Sequence, residues 1–248
     1  MNLDNKVAVV TGGGSGIGRA TCIELAKAGA RVFIGDIDVP KAEAVAAEIR
    51  AAGGVAEALF LDITKDAAIK EYADAVHAKA GKADIVVNCA GWDIIEPFVK
   101  NTPEYWDKIM AINFMGPVKF ARAFLDKMIE AGGGKIVNIA SDAGRVGSGG
   151  ESVYAGAKGG VIAFTKSLAR EMARYSINVN CVCPGPTDTP LFRSQSEKAQ
   201  QALINVIPFR RLAEPKEVAD AVVFFSSSRA SYITGQVISI SGGLTMAG

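Results

Sequence analysis

The sequence is poor in the residues that build metal centres and disulfide frameworks. It has one histidine, His77, and four cysteines, none of them in a C-x-x-C arrangement. Cys181 and Cys183 stand two residues apart in one expected strand, where they share a face but cannot readily bridge. We therefore expect no metal, and thiols that stay reduced and pack as small hydrophobic side chains. His77 is expected to be an exposed helix residue.

An excess of charge of either sign is also missing. The chain has 27 basic and 26 acidic residues, and it contains no basic block or acidic tail. This balance argues against nucleic acids and membrane surfaces as partners. No apolar run approaches the length of a membrane span, and the run near the N-terminus is too short for a secretory signal. We expect a soluble, cytoplasmic protein.

Apolar residues are plentiful, at 49% of 248 residues, which is enough for one large core and a single domain over residues 1–248. Short apolar runs predict strands at 6–12, 30–36, 55–62, 83–91, 134–141, 177–185 and 236–243. Helical patterns lie between them, near 16–28, 41–52, 65–80, 103–129, 152–174 and 215–228. Continuous apolar strands separated by helices indicate a Rossmann-like, doubly wound α/β fold with a parallel sheet of about seven strands.

The glycine-rich stretch TGGGSGIG (11–18) follows the first strand and opens the first helix. Backbone N–H groups in such a turn, together with the helix N-terminus, can bind a pyrophosphate. The glycine spacing departs from the strict G-x-G-x-x-G pattern, so the turn alone could be merely structural. Asp36 ends the second strand, where a carboxylate can hold the adenosine ribose hydroxyls or serve only as a cap. Together they predict dinucleotide binding.

Asp36 also predicts NAD rather than NADP as the cofactor. A carboxylate accepts a hydrogen bond from a free 2′-hydroxyl and repels a 2′-phosphate. Losing one hydrogen bond to a charged group costs about 1.5–3 kcal/mol. Ile37 follows, where an arginine could have bound the phosphate, and Ser15 inside the glycine turn is likewise neutral.

Short stretches from residue 5 to the C-terminus resemble the short-chain dehydrogenase/reductase family in sequence and order. They are TGGGSGIG (11–18), Asp62 in LDIT, NCAG (88–91), Asn113 in AINF, Ser141, YAGAK (154–158) and PGPTDTP (184–190). Two positions depart from the family pattern. Cys89 replaces a usual asparagine, and Pro186 replaces a usual β-branched residue, which leaves the backbone after Gly185 open.

Tyr154 and Lys158 stand four residues apart and share one face of a predicted helix. Alcohol oxidation needs a proton acceptor, because a nicotinamide accepts only the hydride. Tyrosine can serve if its pKa falls, and three units correspond to about 4 kcal/mol, which a nearby ammonium can supply. The resemblance implies that Tyr154 is the base and that Lys158 lowers its pKa and holds the nicotinamide ribose. It further implies that Ser141 binds the substrate oxygen and that Asn113 holds a relay water. The alternative is that Tyr154 and Lys158 are an ordinary pair of surface residues on a helix.

The resemblance also implies a cofactor groove at the ends of successive strands. Its expected residues are Gly12, Ser15, Gly16, Ile17, Gly18, Asp36, Asp62, Ile63, Asn88, Ala90, Gly91, Tyr154, Lys158, Pro184, Gly185, Thr187 and Thr189. Ile17 would face the nicotinamide side and Asp62 the adenine. Thr189 would reach either the carboxamide or the pyrophosphate.

Substrate specificity is expected in three loops beyond the strands, at 92–98, 142–152 and 186–212, and the last of these is expected to act as a lid. Apolar residues in these loops could face a ring or an acyl chain, or could simply anchor the loops. They are Trp92, Ile94, Ile95, Val146, Leu191 and Phe192. Basic residues could meet the phosphates of a coenzyme A or carrier-protein thioester, or could be solvated surface. They are Arg145, Arg193, Lys198, Arg210 and Arg211.

The stretches NCAGWDIIEPF, AINFMGPV and PGPTDTPLF resemble, within the family, the NAD-dependent 2-hydroxycyclohexanecarboxyl-CoA dehydrogenases of alicyclic and aromatic acid degradation. A 3-oxoacyl-thioester reductase is an alternative, although Asp36 argues against the NADPH that such enzymes usually employ. A dehydrogenase of small alcohols or sugar alcohols is another, and a non-catalytic NAD-binding sensor is an alternative of a different class. The family resemblance implies a homotetramer, formed through the helices at 103–129 and 152–174 and the last strand.

Overall fold

Seven parallel strands form a single sheet in the order β3-β2-β1-β4-β5-β6-β7. The computed structural model describes residues 1–194 and 196–247. The strands are β1 Val7–Thr11, β2 Arg31–Asp36, β3 Val55–Phe60, β4 Ile85–Asn88, β5 Gly134–Ile139, β6 Ile177–Pro184 and β7 Val237–Ile240. The predicted doubly wound sheet is confirmed. Because the strand order reverses between β1 and β4, a crevice opens beyond the carboxyl ends of these strands.

Helices cover both faces of this sheet. They are α1 Gly16–Lys27, α2 Val39–Ala51, α3 Asp66–Ala80, α4 Pro103–Met110, α5 Gly116–Glu130, α6 Ala143–Val146, α7 Ser152–Met172, α8 Pro190–Arg193, α9 Glu197–Val206 and α10 Pro215–Ser226. The first core lies under α1, α2 and α10, and the second lies under α3, α5 and α7. Within β1, Ala8 and Val10 point into the first core and Val9 into the second. Two-sided burial explains why the strands are continuous apolar runs.

The helix expected over 103–129 is interrupted. A π-helical turn, Ala111–Met115, separates α4 from α5. Pro117 lies in the first turn of α5 and has no backbone N–H to donate to the preceding turn. The Asn113 side chain donates to the carbonyl of Ile109 at 3.1 Å, which supports the wider turn. Such turns are frequent at functional sites.

The segment 186–212 is more regular than its sequence indicates, since it contains α8 and α9. Its two ends are joined by an isolated bridge between Thr187 and Ala213. The Ala213 N–H donates to the carbonyl of Pro186 at 3.1 Å, and the Asp188 N–H donates to the carbonyl of Ala213 at 2.9 Å. These bonds define the backbone after Gly185, which the sequence left open.

Cys22, Cys181 and Cys183 are buried, and Cys89 and His77 are half-buried. The expectation that His77 is exposed is wrong, because α3 packs against α5 and places the ring edge-on to Phe124, with 5.3 Å between the ring centroids. All four thiols are free, and the sulfurs of Cys181 and Cys183 lie 4.0 Å apart. Over 1–194 and 196–247, no helix is long and apolar enough to cross a membrane. The same residues hold no cluster of His, Cys, Asp or Glu suited to a metal ion.

A buried polar chain ties the middle of the sheet to α7. The Asn88 amide donates to Asn138 Oδ1 at 2.8 Å, and the Asn138 amide donates to Thr165 Oγ1 at 2.9 Å. The Thr165 hydroxyl in turn donates to the carbonyl of Val161 at 2.8 Å. This chain fixes the position of α7, which carries Tyr154 and Lys158, relative to β4 and β5.

We expect Thr165→Val to lower the free energy of unfolding by about 1–3 kcal/mol, because the buried Asn138 amide loses its acceptor. Thr165→Ser keeps the hydroxyl and should cost only about 1 kcal/mol for one lost methyl group. Urea unfolding of both variants measures the difference. A valine variant as stable as the serine variant would show that this chain of hydrogen bonds contributes nothing to the stability of the protein.

Candidate active site

A cavity of about 950 Å³ occupies the crevice beyond the carboxyl ends of the strands. Its wall includes Ser141 and every expected cofactor residue except Asn88: Gly12, Ser15, Gly16, Ile17, Gly18, Asp36, Asp62, Ile63, Ala90, Gly91, Tyr154, Lys158, Pro184, Gly185, Thr187 and Thr189. The fold thus gathers into one space residues that lie far apart in the chain. A cavity of this size has room for a dinucleotide end and a small substrate.

Two expected site residues, Asn88 and Asn113, are not among the described residues that line the cavity. Asn88, predicted to line the cofactor groove, is 2% exposed and pairs with Asn138 inside the sheet. Asn113 is fully buried; its amide donates to the carbonyl of Trp92 at 2.8 Å and its Oδ1 accepts from the N–H of Trp92 at 3.2 Å. Asn113 therefore fixes the backbone of the loop after β4.

The glycine turn lies against the start of the loop after β4. Gly12 has φ +67, and a Cβ there would lie 2.8 Å from the Cα of Ala90. Gly16 has φ +50, and a Cβ there would lie 3.3 Å from Thr189 Cγ2. Ser15 is the N-cap of α1 and forms no side-chain cap bond within the described chain. The turn is thus a narrow cradle of backbone at a helix N-terminus, and it fits a pyrophosphate.

Asp36 is held in a fixed orientation at the edge of this cradle. Its Oδ2 accepts from the N–H of Gly14 at 2.8 Å, and its Oδ1 accepts from the N–H of Asp38 at 2.9 Å. Lys41, the basic residue that packs near Gly14, is paired with Asp38 at 2.7 Å. This end of the cavity is therefore lined by a carboxylate, and the nearest cation is already neutralised.

The expected catalytic side chains converge at the other end of the cavity. Lys158 is 2% exposed, and its Nζ donates to the carbonyl of Ile139 at 2.9 Å and lies 5.7 Å from the centroid of the Tyr154 ring. The Ser141 hydroxyl forms a hydrogen bond with Tyr154 and accepts from the N–H of Ala143 at 3.1 Å. A substrate oxygen can reach Ser141 and Tyr154 together.

The pKa of Tyr154 is raised, not lowered as the sequence predicts. Burial is the largest cause, and the carboxylates of Glu151 and Asp93 add to it, while the hydrogen bond with Ser141 acts in the opposite direction. The expected lowering by Lys158 does not occur in the protein alone, since its ammonium is directed at the carbonyl of Ile139. Burial also lowers the pKa of Lys158.

Sequence reasoning missed three acidic residues in the cavity wall, Asp93, Asp142 and Glu151. Asp93 is 7% exposed, and its Oδ1 accepts from the Tyr105 hydroxyl at 2.7 Å. The spacing in the sequence could have indicated Glu151, which lies almost one helical turn before Tyr154 at the start of α7. Asp93 carried no such signal, because it lies in a loop and its neighbours in sequence are apolar.

The expected apolar substrate residues all reach the cavity wall. They are Trp92, Ile94, Ile95, Val146, Leu191 and Phe192, and Leu203 of α9 and Leu244 join them. They come from the three loops that the sequence singles out and from the C-terminal segment. The substrate side of the cavity is therefore largely apolar, with the carboxyl groups of Asp93 and Glu151 as its main polar feature.

Protein groups already hold most of the basic residues that could bind phosphates. Arg193 forms two hydrogen bonds with Asp188, at 2.6 and 2.7 Å. Arg211 binds both oxygens of Glu217. The remaining arginines donate to neutral partners: Arg145 to Ser239 and the carbonyl of Ala247, and Arg210 to the carbonyl of Asn205. Lys198 lies exposed on α9.

Comparison with known proteins supports an oxidoreductase site. The family profile described as enoyl-(acyl carrier protein) reductase matches residues 12–245. The 3-oxoacyl-[acyl-carrier-protein] reductase of Thermotoga maritima is 37% identical over 246 residues, 99% of this chain and 100% of that protein. The chain belongs to the short-chain dehydrogenase/reductase family.

Other members of the short-chain dehydrogenase/reductase family are about as similar. The (2S)-[(R)-hydroxy(phenyl)methyl]succinyl-CoA dehydrogenase subunit BbsD of Thauera aromatica is 36% identical over 99% of each chain. The crystal structure of levodione reductase superposes with a TM-score of 0.94 at 33% identity and covers 98% of each chain. This short-chain dehydrogenase/reductase is an oxidoreductase that uses a nicotinamide dinucleotide.

We expect Gly12→Ala to weaken dinucleotide binding at least about tenfold, or about 1.4 kcal/mol. An added Cβ must push the glycine turn away from Ala90. Gly53→Ala is the matched control, since Gly53 also has a positive φ, +84, but nothing lies within 4 Å of its added Cβ. Fluorescence titration with the cofactor measures both. Equal affinities of the two variants for the cofactor would contradict the assignment of the glycine turn as the pyrophosphate site.

Proposed function

We propose that this protein is an NAD-dependent dehydrogenase that oxidises a ring hydroxyl β to a coenzyme A thioester, as in 2-hydroxycyclohexanecarboxyl-CoA. The observation that supports it most is the gathering of apolar side chains from three loops beside Tyr154 and Ser141. Such a wall suits a saturated ring. The Thauera aromatica relative is named for a thioester that carries both a hydroxyl and a ring.

Tyr154 is the proposed base of this reaction. It would take the carbinol proton, and Ser141, which already bonds to Tyr154, would donate a hydrogen bond to the substrate oxygen. The nicotinamide supplies the hydride acceptor when bound.

Lys158 and Asn113 are proposed to support Tyr154 in different ways. Lys158 would hold the nicotinamide ribose hydroxyls, and its Nζ, which lies 5.7 Å from the centroid of the Tyr154 ring, would place that ribose beside Tyr154. Asn113 holds both backbone groups of Trp92 and so positions the loop that bears the substrate wall. Its expected role with a relay water stays a prediction.

The remaining cofactor residues are proposed to hold NAD along the cavity. The glycine turn would bind the pyrophosphate, and Thr189 lies beside Gly16, which favours the pyrophosphate over the carboxamide as its contact. Asp36 would bind the adenosine ribose hydroxyls. Its fixed carboxylate, with Lys41 already paired to Asp38, supports NAD over NADP.

Recognition of the thioester is proposed to depend on the acyl part rather than on the coenzyme A phosphates. Arg193 and Arg211 are paired with carboxylates, and a phosphate would have to displace them. The segment 186–212 contributes Leu191, Phe192 and Leu203 to the substrate wall. Its action as a lid, the homotetramer and a cytoplasmic location stay predictions.

A 3-oxoacyl-[acyl-carrier-protein] reductase is the second candidate. The Thermotoga maritima relative carries that name at 37% identity, so the similarity in sequence favours it equally. The two candidates share their chemistry and differ in direction, cofactor and acyl shape. The carboxylate of Asp36 is the feature that favours the first.

We expect Asp36→Asn to lower kcat/KM for NAD about 10- to 150-fold, the equivalent of the 1.5–3 kcal/mol lost with a charged hydrogen bond. The wild type should prefer NAD to NADP, and the variant should lose most of that preference. Asp126→Asn is the matched control, because Asp126 is exposed on α5, pairs with Arg122 at 2.9 Å and lies outside the cavity wall. Equal use of both cofactors by the wild type would contradict the assignment.

The substrate proposal is tested with purified protein and NAD against a panel of hydroxyacyl-CoA thioesters. Formation of reduced nicotinamide should be fastest with the cyclic 2-hydroxyacyl thioester, because apolar side chains from three loops gather beside Tyr154 and Ser141. Preference for linear 3-hydroxyacyl thioesters would transfer the proposal to the second candidate. No turnover of any thioester would overturn both.

A further inference from the structure

Two carboxyl groups meet on the substrate side of the cavity, next to Tyr154. Asp93 lies in the loop after β4, and Glu151 is the N-cap residue of α7. The two segments are joined where the N–H of Glu96 donates to the carbonyl of Gly150 at 3.0 Å. The carboxyl groups of Asp93 and Glu151 are close enough for their charges to interact, and both line the cavity.

The hydrogen bonds around Asp93 lack one donor. Its Oδ1 accepts from the Tyr105 hydroxyl at 2.7 Å. Its Oδ2 is fully buried and has no donor among residues 1–194 and 196–247. Glu151 is the nearby carboxyl group, but two ionised carboxylates can only accept. Leaving both charged would bury an unsatisfied charge, which is costly. A proton retained between the two groups supplies the missing donor.

We propose that Asp93 and Glu151 form an acid pair that keeps one proton at neutral pH and that, as positioning residues, control how readily Tyr154 gives up its own proton. The second half of this proposal rests on the proposed function, in which Tyr154 is the base. Burial raises the pKa of both carboxyl groups, and the charge of Asp93 raises that of Glu151 further. Both effects favour a retained proton.

Charged and titratable groups of both signs face the pair or Tyr154. They are Lys158 of α7, Tyr105 of α4, Cys183 of β6, and Lys108 and Asp142, which also line the cavity. The ammonium of Lys158 attracts the charge of Asp93, but it is bonded to the carbonyl of Ile139. Lys108 lies over the ring of Trp92 at 3.7 Å from its centroid.

This arrangement links the pair to the direction of the reaction. When the pH rises and the pair loses its retained proton, its charge changes from one negative unit to two. A Tyr154 phenolate beside it then becomes less favourable, so Tyr154 holds its proton to higher pH. Alcohol oxidation needs the deprotonated tyrosine, and ketone reduction needs the protonated one. The pair therefore favours reduction near neutral pH and delays the rise of the oxidation rate.

The retained proton is tested by infrared spectroscopy of the protein alone. The wild type at neutral pH should show the C=O stretching band of a buried, protonated carboxylic acid. Asp93→Asn and Glu151→Gln should each remove it, because the remaining carboxyl group then ionises beside an amide donor. Glu96→Gln, a change of the same kind in the same loop, should keep it. A wild type without the band, or a band that survives both variants, would overturn the acid pair.

The control over Tyr154 is tested by the pH dependence of kcat for oxidation of the alcohol that the wild type oxidises fastest. In the double variant Asp93→Asn/Glu151→Gln, the rise of kcat should move to lower pH by about one unit, as expected for removal of a nearby like charge. Glu96→Gln should leave it in place. An unshifted double variant would overturn this control. If the wild type oxidises no alcohol, the proposed function is wrong, and the proposed control over Tyr154 is wrong with it. The infrared experiment would still decide whether Asp93 and Glu151 form an acid pair.

Discussion

The buried ammonium of Lys158 is the interaction on which the site depends. An ion at 2% exposure is costly unless it is hydrogen-bonded. Here the carbonyl of Ile139 at the end of β5 accepts from it, which anchors α7 to the sheet. Gly91 leaves the space above it open, since a Cβ there would lie 3.6 Å from the Nζ atom. The position of Tyr154, slightly more than one turn earlier on α7, follows from this anchor.

The electrostatics of the cavity divide it into two ends with different tasks. At the dinucleotide end, backbone N–H groups and the fixed carboxylate of Asp36 are arranged for a pyrophosphate and a ribose. At the substrate end, Tyr154 lies between one cation, Lys158, and the carboxyl groups of Asp93 and Glu151. Burial and these two carboxyl groups therefore raise the proton affinity of Tyr154, and Lys158 does not lower it in the protein alone.

The features that the sequence predicted well are those with a local physical signal. Burial of both faces makes each strand a continuous apolar run, and a glycine turn after β1 needs positive φ at Gly12 and Gly16. Tyr154 and Lys158 share a helix face by their spacing alone. The interruption of the helix at Ala111–Met115 was not predicted, although Pro117 gave a local signal for it. The contacts of Asn113 with the Trp92 backbone carry no such signal, because they join residues far apart in sequence. The proximity of Asp93 and Glu151 depends on how two segments that are distant in sequence meet, and no periodic pattern in the sequence indicates it.

The most direct test of the account compares Tyr154→Phe with the wild type in two assays. Tyr154→Phe removes only the hydroxyl, so the account predicts that alcohol oxidation with NAD is lost while the affinity for NAD stays nearly unchanged. NAD affinity is measured by fluorescence titration, and oxidation by the absorbance of the reduced nicotinamide. Oxidation that survives in Tyr154→Phe would contradict the assignment of Tyr154 as the base and, with it, the central claim.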